Sequence, residues 1–206
     1  MKKKLQLEVA SDVVCPWCYI GKRRLEKALE LLKDDLDVEV RWLPFQLNPG
    51  LPPEGMPRAE YRKAKFGSLE RSKQMDARVV DEGKGEGIQF AFERMQQQPN
   101  TTQAHRLIDL AQADGLGNEV VDALFQAHFE QGRNIGDAKV LAEIAAQCGV
   151  KGWPDQAPDV SATEDEVRGM GISAVPTFIF DRRTGVSGAY PAETLAQAIR
   201  DASSSR

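Results

Sequence analysis

The sequence is poor in the residues that staple or ligate. Its 206 residues include three cysteines and two histidines. A structural disulfide framework needs an even set of cysteines in a small secreted domain, and a core of this size needs no staples. Lys and Arg number 27 against 31 Asp and Glu, a net charge of −4. That argues against a nucleic-acid binder, which needs clustered cations for phosphates. The two short basic clusters, Lys2-Lys3-Lys4 and Lys22-Arg23-Arg24, read as solvated patches. No apolar run approaches membrane-spanning length. The basic start is followed by Leu5-Gln6-Leu7-Glu8-Val9, which alternates and carries a carboxylate where a signal peptide needs an unbroken apolar stretch. The expected location is therefore cytoplasmic. There is no Walker loop and no G-x-G-x-x-G; Gly83, Gly85 and Gly87 lack that spacing, so no nucleotide or flavin is expected. Repeats and low-complexity tracts are absent.

What remains is an ordinary globular composition, 41% hydrophobic and 28% charged, sized for one large domain or one domain with an insertion. Leu5, Leu7 and Val9 predict a first strand. Helical periodicity follows from about Trp17 to Leu32 through Ile20, Leu25, Ala28, Leu29 and Leu32, with Pro16 suited to its first turn. A second strand is predicted over Val38 to Leu47. Asn48 to Pro57, with four prolines and two glycines, is a loop and a boundary.

The middle reads as helical: Glu60 to Glu82 with a break at Gly67, then Thr102–Ala113, Glu119–Glu130 and Ala138–Cys148. Ile88 to Phe92 reads as extended or irregular. Asn118 and Asp137 are the expected caps. Trp153 to Pro158 is a joint. Ser161 and Glu164 have capping-box spacing for a helix to Met170. Val175–Phe180 and Val186–Tyr190 form a hairpin across Thr184-Gly185. Pro191 opens a last helix to Ala202, and Ser203–Arg206 should fray.

The chemistry concentrates at Cys15-Pro16-Trp17-Cys18, where a strand hands over to a helix. Residues at i and i+3 in a first helical turn share a face, so the two sulfurs can bond without rebuilding the backbone. Cys15 meets the unpaired N–H groups and the positive end of the helix dipole, which favour a thiolate. A lowered pKa makes it both a populated nucleophile and a good leaving group. Cys18, one turn inside, is the expected resolving thiol. Taken alone, C-x-x-C also fits half a zinc site or two structural thiols. Zinc would need two more ligands, and Cys148, His105 and His128, the other Cys and His residues, lack paired ligand spacing; no metal is expected. Val175-Pro176 beside Thr177 is the second clue. A strand-start proline is tolerated at an edge, and a cis bond there is accessible, at about 0.5–1 kcal/mol.

These residues resemble the DsbA branch of the thioredoxin superfamily, and within it the FrnE-like group, related to 2-hydroxychromene-2-carboxylate isomerase and kappa-class glutathione transferase. The resemblance covers nearly the whole chain. Its carriers are Ser11 to Gly21, Asn100-Thr101, Ala104 to Leu107, Leu124-Phe125, Phe129, Gly132 to Ile135, Val175 to Phe178, and Ser187-Gly188-Ala189. It implies an α/β fold: a thioredoxin fold with a large all-helical insertion between its βαβ and αββα parts. On that reading residues 1–50 and 158–206 form the thioredoxin-like domain, and 51–157 the helical insertion. It implies a thiol–disulfide oxidoreductase with Cys15 and Cys18 catalytic. Val175 and Pro176, the latter after a cis bond, would hold substrate beside Pro16 and Trp17. Partners would be protein or small-molecule thiols and disulfides, with glutathione as a redox partner and no bound cofactor.

Two departures bear on this. No cysteine follows Cys148, so a second pair near the C-terminus is missing. The isomerase and transferase relatives carry Ser at the Cys15 position, which weakens a glutathione-dependent isomerase or transferase as the alternative function. Ala174 stands where relatives often have Gly. A non-enzymatic binding protein using the helical block and Pro-rich loop is the third reading. Cys148 lies on a core stripe with Leu141, Ile144 and Ala145 and reads as a small hydrophobe. His105 and His128 read as structural. Asp12 reads as a turn residue, with proton relay from Cys18 as its other use.

Overall fold

The computed structural model describes residues 2–204. The chain divides into two compact units: Met1–Phe45 with Ser161–Arg206, and Gln46–Val160. The first unit opens with β1 (Lys3–Ser11), α1 (Pro16–Leu32) and β2 (Leu36–Pro44). β1 runs parallel to β2, pairing Val9 with Trp42 and Ser11 with Pro44. Leu5, Leu7 and Val9 are buried as their alternation predicts, and Glu8 and Ala10 on the opposite face are buried too. β1 is thus an interior strand covered on both faces. Burial of each large aliphatic side chain here is worth about 1.5–3 kcal/mol. β2 begins at Leu36 and ends at Pro44, short of the predicted Leu47. The Phe45 N–H then donates to the Ser11 carbonyl (3.2 Å) as the chain leaves the sheet.

The second unit holds β3 (Met56–Pro57), α2 (Arg58–Phe66), α3 (Leu69–Lys84), β4 (Gln97–Gln98), α4 (Thr102–Ala113), α5 (Gly117–Phe125) and α6 (Ala138–Gln147), with a π-helical turn at Gln126–Glu130. β3 and β4 pair antiparallel through two residues each, too short for alternation to show. The break at Gly67 is real: its φ of 81° and its N–H on the Lys63 carbonyl end α2, and the Ser68 hydroxyl accepts from the Arg71 N–H to start α3. Asp137 caps α6, accepting from Lys139 and Val140 N–H. Asn118 does not cap. The Leu116 N–H returns to the Ala111 carbonyl through the left-handed Gly115, so the turn is tight and α5 starts earlier, with Leu116 as its N-cap.

The chain returns to the first unit with α7 (Ser161–Gly169), β5 (Thr177–Phe180), β6 (Thr184–Ser187) and α8 (Ala192–Ser204). The sheet order is β2-β1-β5-β6. β5 lies antiparallel to β1, with Val9 opposite Phe178 and Ala10 opposite Thr177. α8 packs on α1 and β1, and α7 on β2. The hairpin turn is Asp181–Arg183 rather than Thr184-Gly185. Asp181 and Arg182 take positive φ, held by Gln6 N–H donating to Asp181 (3.0 Å) and by a two-pronged Arg182–Glu8 ion pair. Gly185 serves the strand instead, because a Cβ there would stand 2.7 Å from the Phe178 carbonyl. Ser161 and Glu164 both lie inside α7, and Glu164 accepts from Arg168 one turn on (2.8 Å). α8 continues through Ser203, whose buried hydroxyl donates to the Arg200 carbonyl. Of the end expected to fray, Ser205 and Arg206 lie outside the described residues. Among the described residues no helix is long and apolar enough to cross a membrane.

Candidate active site

The end of β1 turns directly into α1. The Cys15 N–H donates to the Asp12 carbonyl (3.0 Å), and the Cys15 carbonyl accepts from Cys18 and Tyr19 N–H (3.0 and 3.3 Å). Cys15 is therefore the N-cap, extended at φ −94° and ψ 112°, and Pro16 is the first helical residue. The proline needs no N–H partner at that position. The Cys15 side chain spends nothing on capping, so its sulfur is left to receive the N–H groups of Trp17 and Cys18.

The two sulfurs are both buried, Cys15 at 5% and Cys18 at 1% exposure, and both are free thiols. Their pKa values are pushed apart. A hydrogen bond from the Cys18 thiol lowers Cys15, against the opposing effect of burial, with the Cys18 and Trp17 N–H groups helping and the Asp12 charge opposing. Burial raises Cys18 well above an ordinary thiol, and the proton it shares with Cys15 and the Cys15 charge push the same way. The pair is thus unequal: Cys15 is the thiol that ionises more readily, and Cys18 the one that keeps its proton. Asp12 is fully buried beside them, as part of the turn and as a charge acting on Cys15.

A second loop faces Cys15. The Val175–Pro176 peptide is cis, and the Val175 carbonyl lies 3.8 Å from Cys15 Sγ, within reach of a thiol donor. Pro176 is buried against α1 at Gly21, where a Cβ would stand 2.9 Å from the proline Cγ. The loop is tied down from behind. Thr177 Oγ1 bonds the Ala174 carbonyl (2.7 Å) and Ser187 Oγ (2.9 Å), and Gly188 N–H donates to the Pro176 carbonyl (2.8 Å). β5 consequently begins at Thr177, two residues later than predicted.

Cys15, Cys18, Val175 and Pro176 come together in one place. Pro16 starts the helix there, and Trp17 stands beside them at 37% exposure. His105, His128 and Cys148 belong to the other unit; the histidines are buried and Cys148 is half-buried. Among the described residues no group of three His, Cys, Asp or Glu could hold a metal. Sequence reasoning placed Gly21, Thr177 and Ser11 in the segments that carry the resemblance but gave none of them a role: Gly21 admits Pro176, Thr177 ties the loop down, and Ser11 bears on Cys18. A glycine inside an otherwise good helix was the available signal for the first.

A family model described as a DSBA-like thioredoxin domain matches residues 6–200. The Bacillus subtilis protein YwbO, itself described as uncharacterized, is 30% identical over 96% of each chain. A crystal structure of a probable DsbA oxidoreductase from Streptomyces coelicolor superposes with a TM-score of 0.88 at 32% identity, covering 98% of this chain and 91% of that one. The cytosolic disulfide reductase DsbM from Pseudomonas aeruginosa, solved with glutathione, shares the fold at a TM-score of 0.63 and 21% identity, covering 97% and 96%.

Proposed function

The chain belongs to the DsbA-like thioredoxin domain family, and from that premise we propose that it exchanges disulfides through Cys15 and Cys18. The observation that carries this reading is Cys15 at the start of α1, eased toward ionisation by the Cys18 thiol and standing 3.8 Å from the Val175 carbonyl. In the reducing direction Cys15 attacks a substrate disulfide. One substrate sulfur leaves and takes a proton, and the other stays bonded to Cys15 as a mixed disulfide. Cys18 then loses its proton and attacks Cys15, the second substrate thiol departs, and a Cys15–Cys18 disulfide remains. Run backward, the same steps oxidise a substrate dithiol.

Val175 and Pro176 hold the substrate. Among the described residues the Val175 N–H has no backbone partner, and its carbonyl faces only the thiol. An extended peptide can pair with both groups, as in strand addition. Pro16 keeps Cys15 at the helix start, and Trp17 offers the substrate an exposed aromatic wall. The chemistry uses no bound cofactor; glutathione enters as an exchanging thiol. In a cytoplasm poised at roughly −220 to −320 mV, the pair works as a reductant or isomerase.

The test is reduction of insulin disulfides with a thiol donor. Wild-type protein should accelerate it and Cys15→Ser should not. Undiminished reduction by Cys15→Ser would refute the reading. Glutathione-dependent isomerisation, by contrast, would survive Cys18→Ala.

A further inference from the structure

Cys18 must give up its proton to resolve the mixed disulfide, yet it is the harder of the two thiols to ionise. Once Cys15 is bonded to substrate, it no longer carries the charge that holds the Cys18 proton. Something buried has to receive the charge that then develops on Cys18.

Ser11 ends β1, one residue before the turn into α1. Its backbone is committed to the sheet: it pairs with Pro44, and its carbonyl accepts from Phe45 N–H. The residue is 5% exposed, and among the described residues the hydroxyl makes no formed hydrogen bond. A buried hydroxyl left in this state is costly and uncommon. The Ser11 hydroxyl and the Asp12 N–H both act to favour the thiolate form of Cys18. The ionisable group that bears on Cys18 is Cys15; Asp12 reaches Cys18 through its backbone N–H, and its charge acts on Cys15. Lys22, one turn further along α1, is ion-paired with Glu26.

We propose that the Ser11 hydroxyl is the donor that stabilises the Cys18 thiolate during resolution. This rests on the exchange reading above. In the dithiol state the Cys18 proton belongs to Cys15, and the hydroxyl waits. When Cys15 is in a mixed disulfide, the Cys18 proton passes to solvent, and the Ser11 O–H and Asp12 N–H hold the sulfur anion. Cys18 Sγ then bonds to Cys15 Sγ, the bond from Cys15 to the substrate sulfur breaks, and the departing thiolate takes a proton from solvent. Two thiols of the protein are oxidised and one disulfide of the substrate is reduced. Ser11 donates a hydrogen bond and keeps its own proton.

The test uses 5,5′-dithiobis(2-nitrobenzoate) on reduced full-length protein carrying Cys148→Ala, so that Cys15 and Cys18 alone react. Cys15 attack releases one thionitrobenzoate and leaves a second on Cys15; resolution by Cys18 releases the second. Ser11→Ala should leave the first phase unchanged and slow the second about ten- to hundredfold, the value of a hydrogen bond to a charged group. The pH midpoint of the second phase should rise. Ser11→Thr, which keeps the hydroxyl, should recover the rate. Urea unfolding of reduced Ser11→Ala should show no loss of stability against wild type, because the hydroxyl has no formed partner to lose. An unchanged second phase in Ser11→Ala overturns the proposal, as does equal slowing of both phases. Absence of any second phase in the Ser11 parent would instead remove the exchange reading itself, and this inference with it.

Discussion

Replacing Gly21 by alanine tests how the site is assembled. Gly21 lies inside α1, one turn beyond Trp17. A Cβ there would approach Pro176 Cγ to 2.9 Å and Phe178 Cζ to 3.4 Å. The first contact lies about 0.5 Å inside ordinary van der Waals range, so the proline ring must withdraw by about that much. Overpacking of this kind costs about 1–3 kcal/mol. Alanine regains about 0.8–1 kcal/mol of helix propensity over glycine. The net loss should be about 0–2 kcal/mol, measured by urea unfolding. The effect on exchange should be larger in proportion. Misplacing a reactive arrangement by about 1 Å can cost a hundredfold, so half that shift should slow insulin reduction about tenfold. Gly169→Ala is the control. It ends α7 with nothing within 4 Å of its would-be Cβ, and it should be neutral or slightly stabilising with unchanged exchange. If Gly21→Ala behaves like Gly169→Ala in both assays, the packing of Pro176 on α1 does not hold the site together.

Two further outcomes are expected. Iodoacetamide should label Cys15 first, and labelling should persist below the pH at which ordinary thiols react, because Cys15 is lowered and Cys18 raised. The stability linkage has a matching sign: a depressed Cys15 pKa stabilises the reduced fold above the unfolded thiol's pKa, and that contribution disappears as pH falls through the Cys15 value. Cys18, raised on folding, carries the opposite sign. Peptide mapping across a pH series checks the order, and preferential labelling of Cys18 would reverse the roles. Arg182→Ala, which strips the buried Glu8 of its two-pronged partner, should cost roughly 1–2 kcal/mol, discounted for the exposure of the arginine. Urea unfolding measures it; a Glu8→Gln change added to Arg182→Ala should recover part of the loss, and no loss in the single variant would show the pair to be idle.

Periodicity carried most of the architecture, because β1, α1 and α8 each bury a face over nine or more residues. It failed where structure is set by contacts distant in sequence. Asp181 and Arg182 make the hairpin turn because Gln6 and Glu8 of β1 hold them, and no local signal outranked the Thr184-Gly185 pair. Gly185 is a glycine for the sake of the Phe178 carbonyl. Asn118 has the chemistry of a cap but not the position, since Gly115 closes the preceding turn too soon. The candidate site divides the same way. The C-x-x-C and the Val175-Pro176 pair stand out in sequence because their chemistry is local. Gly21 and Ser11 matter through what they face: a proline 155 positions away and a sulfur one helical turn into α1.

The measurement that bears most directly on the exchange reading is the capture of its intermediate. Cys18→Ala protein mixed with a peptide disulfide should accumulate a one-to-one covalent adduct, carried on Cys15 and released by dithiothreitol. Wild-type protein should pass through that adduct without accumulating it, and Cys15→Ser should form none. An adduct located on Cys18 or Cys148, or one formed equally well by Cys15→Ser, would contradict the assignment of Cys15 as the attacking sulfur and Cys18 as the one that resolves.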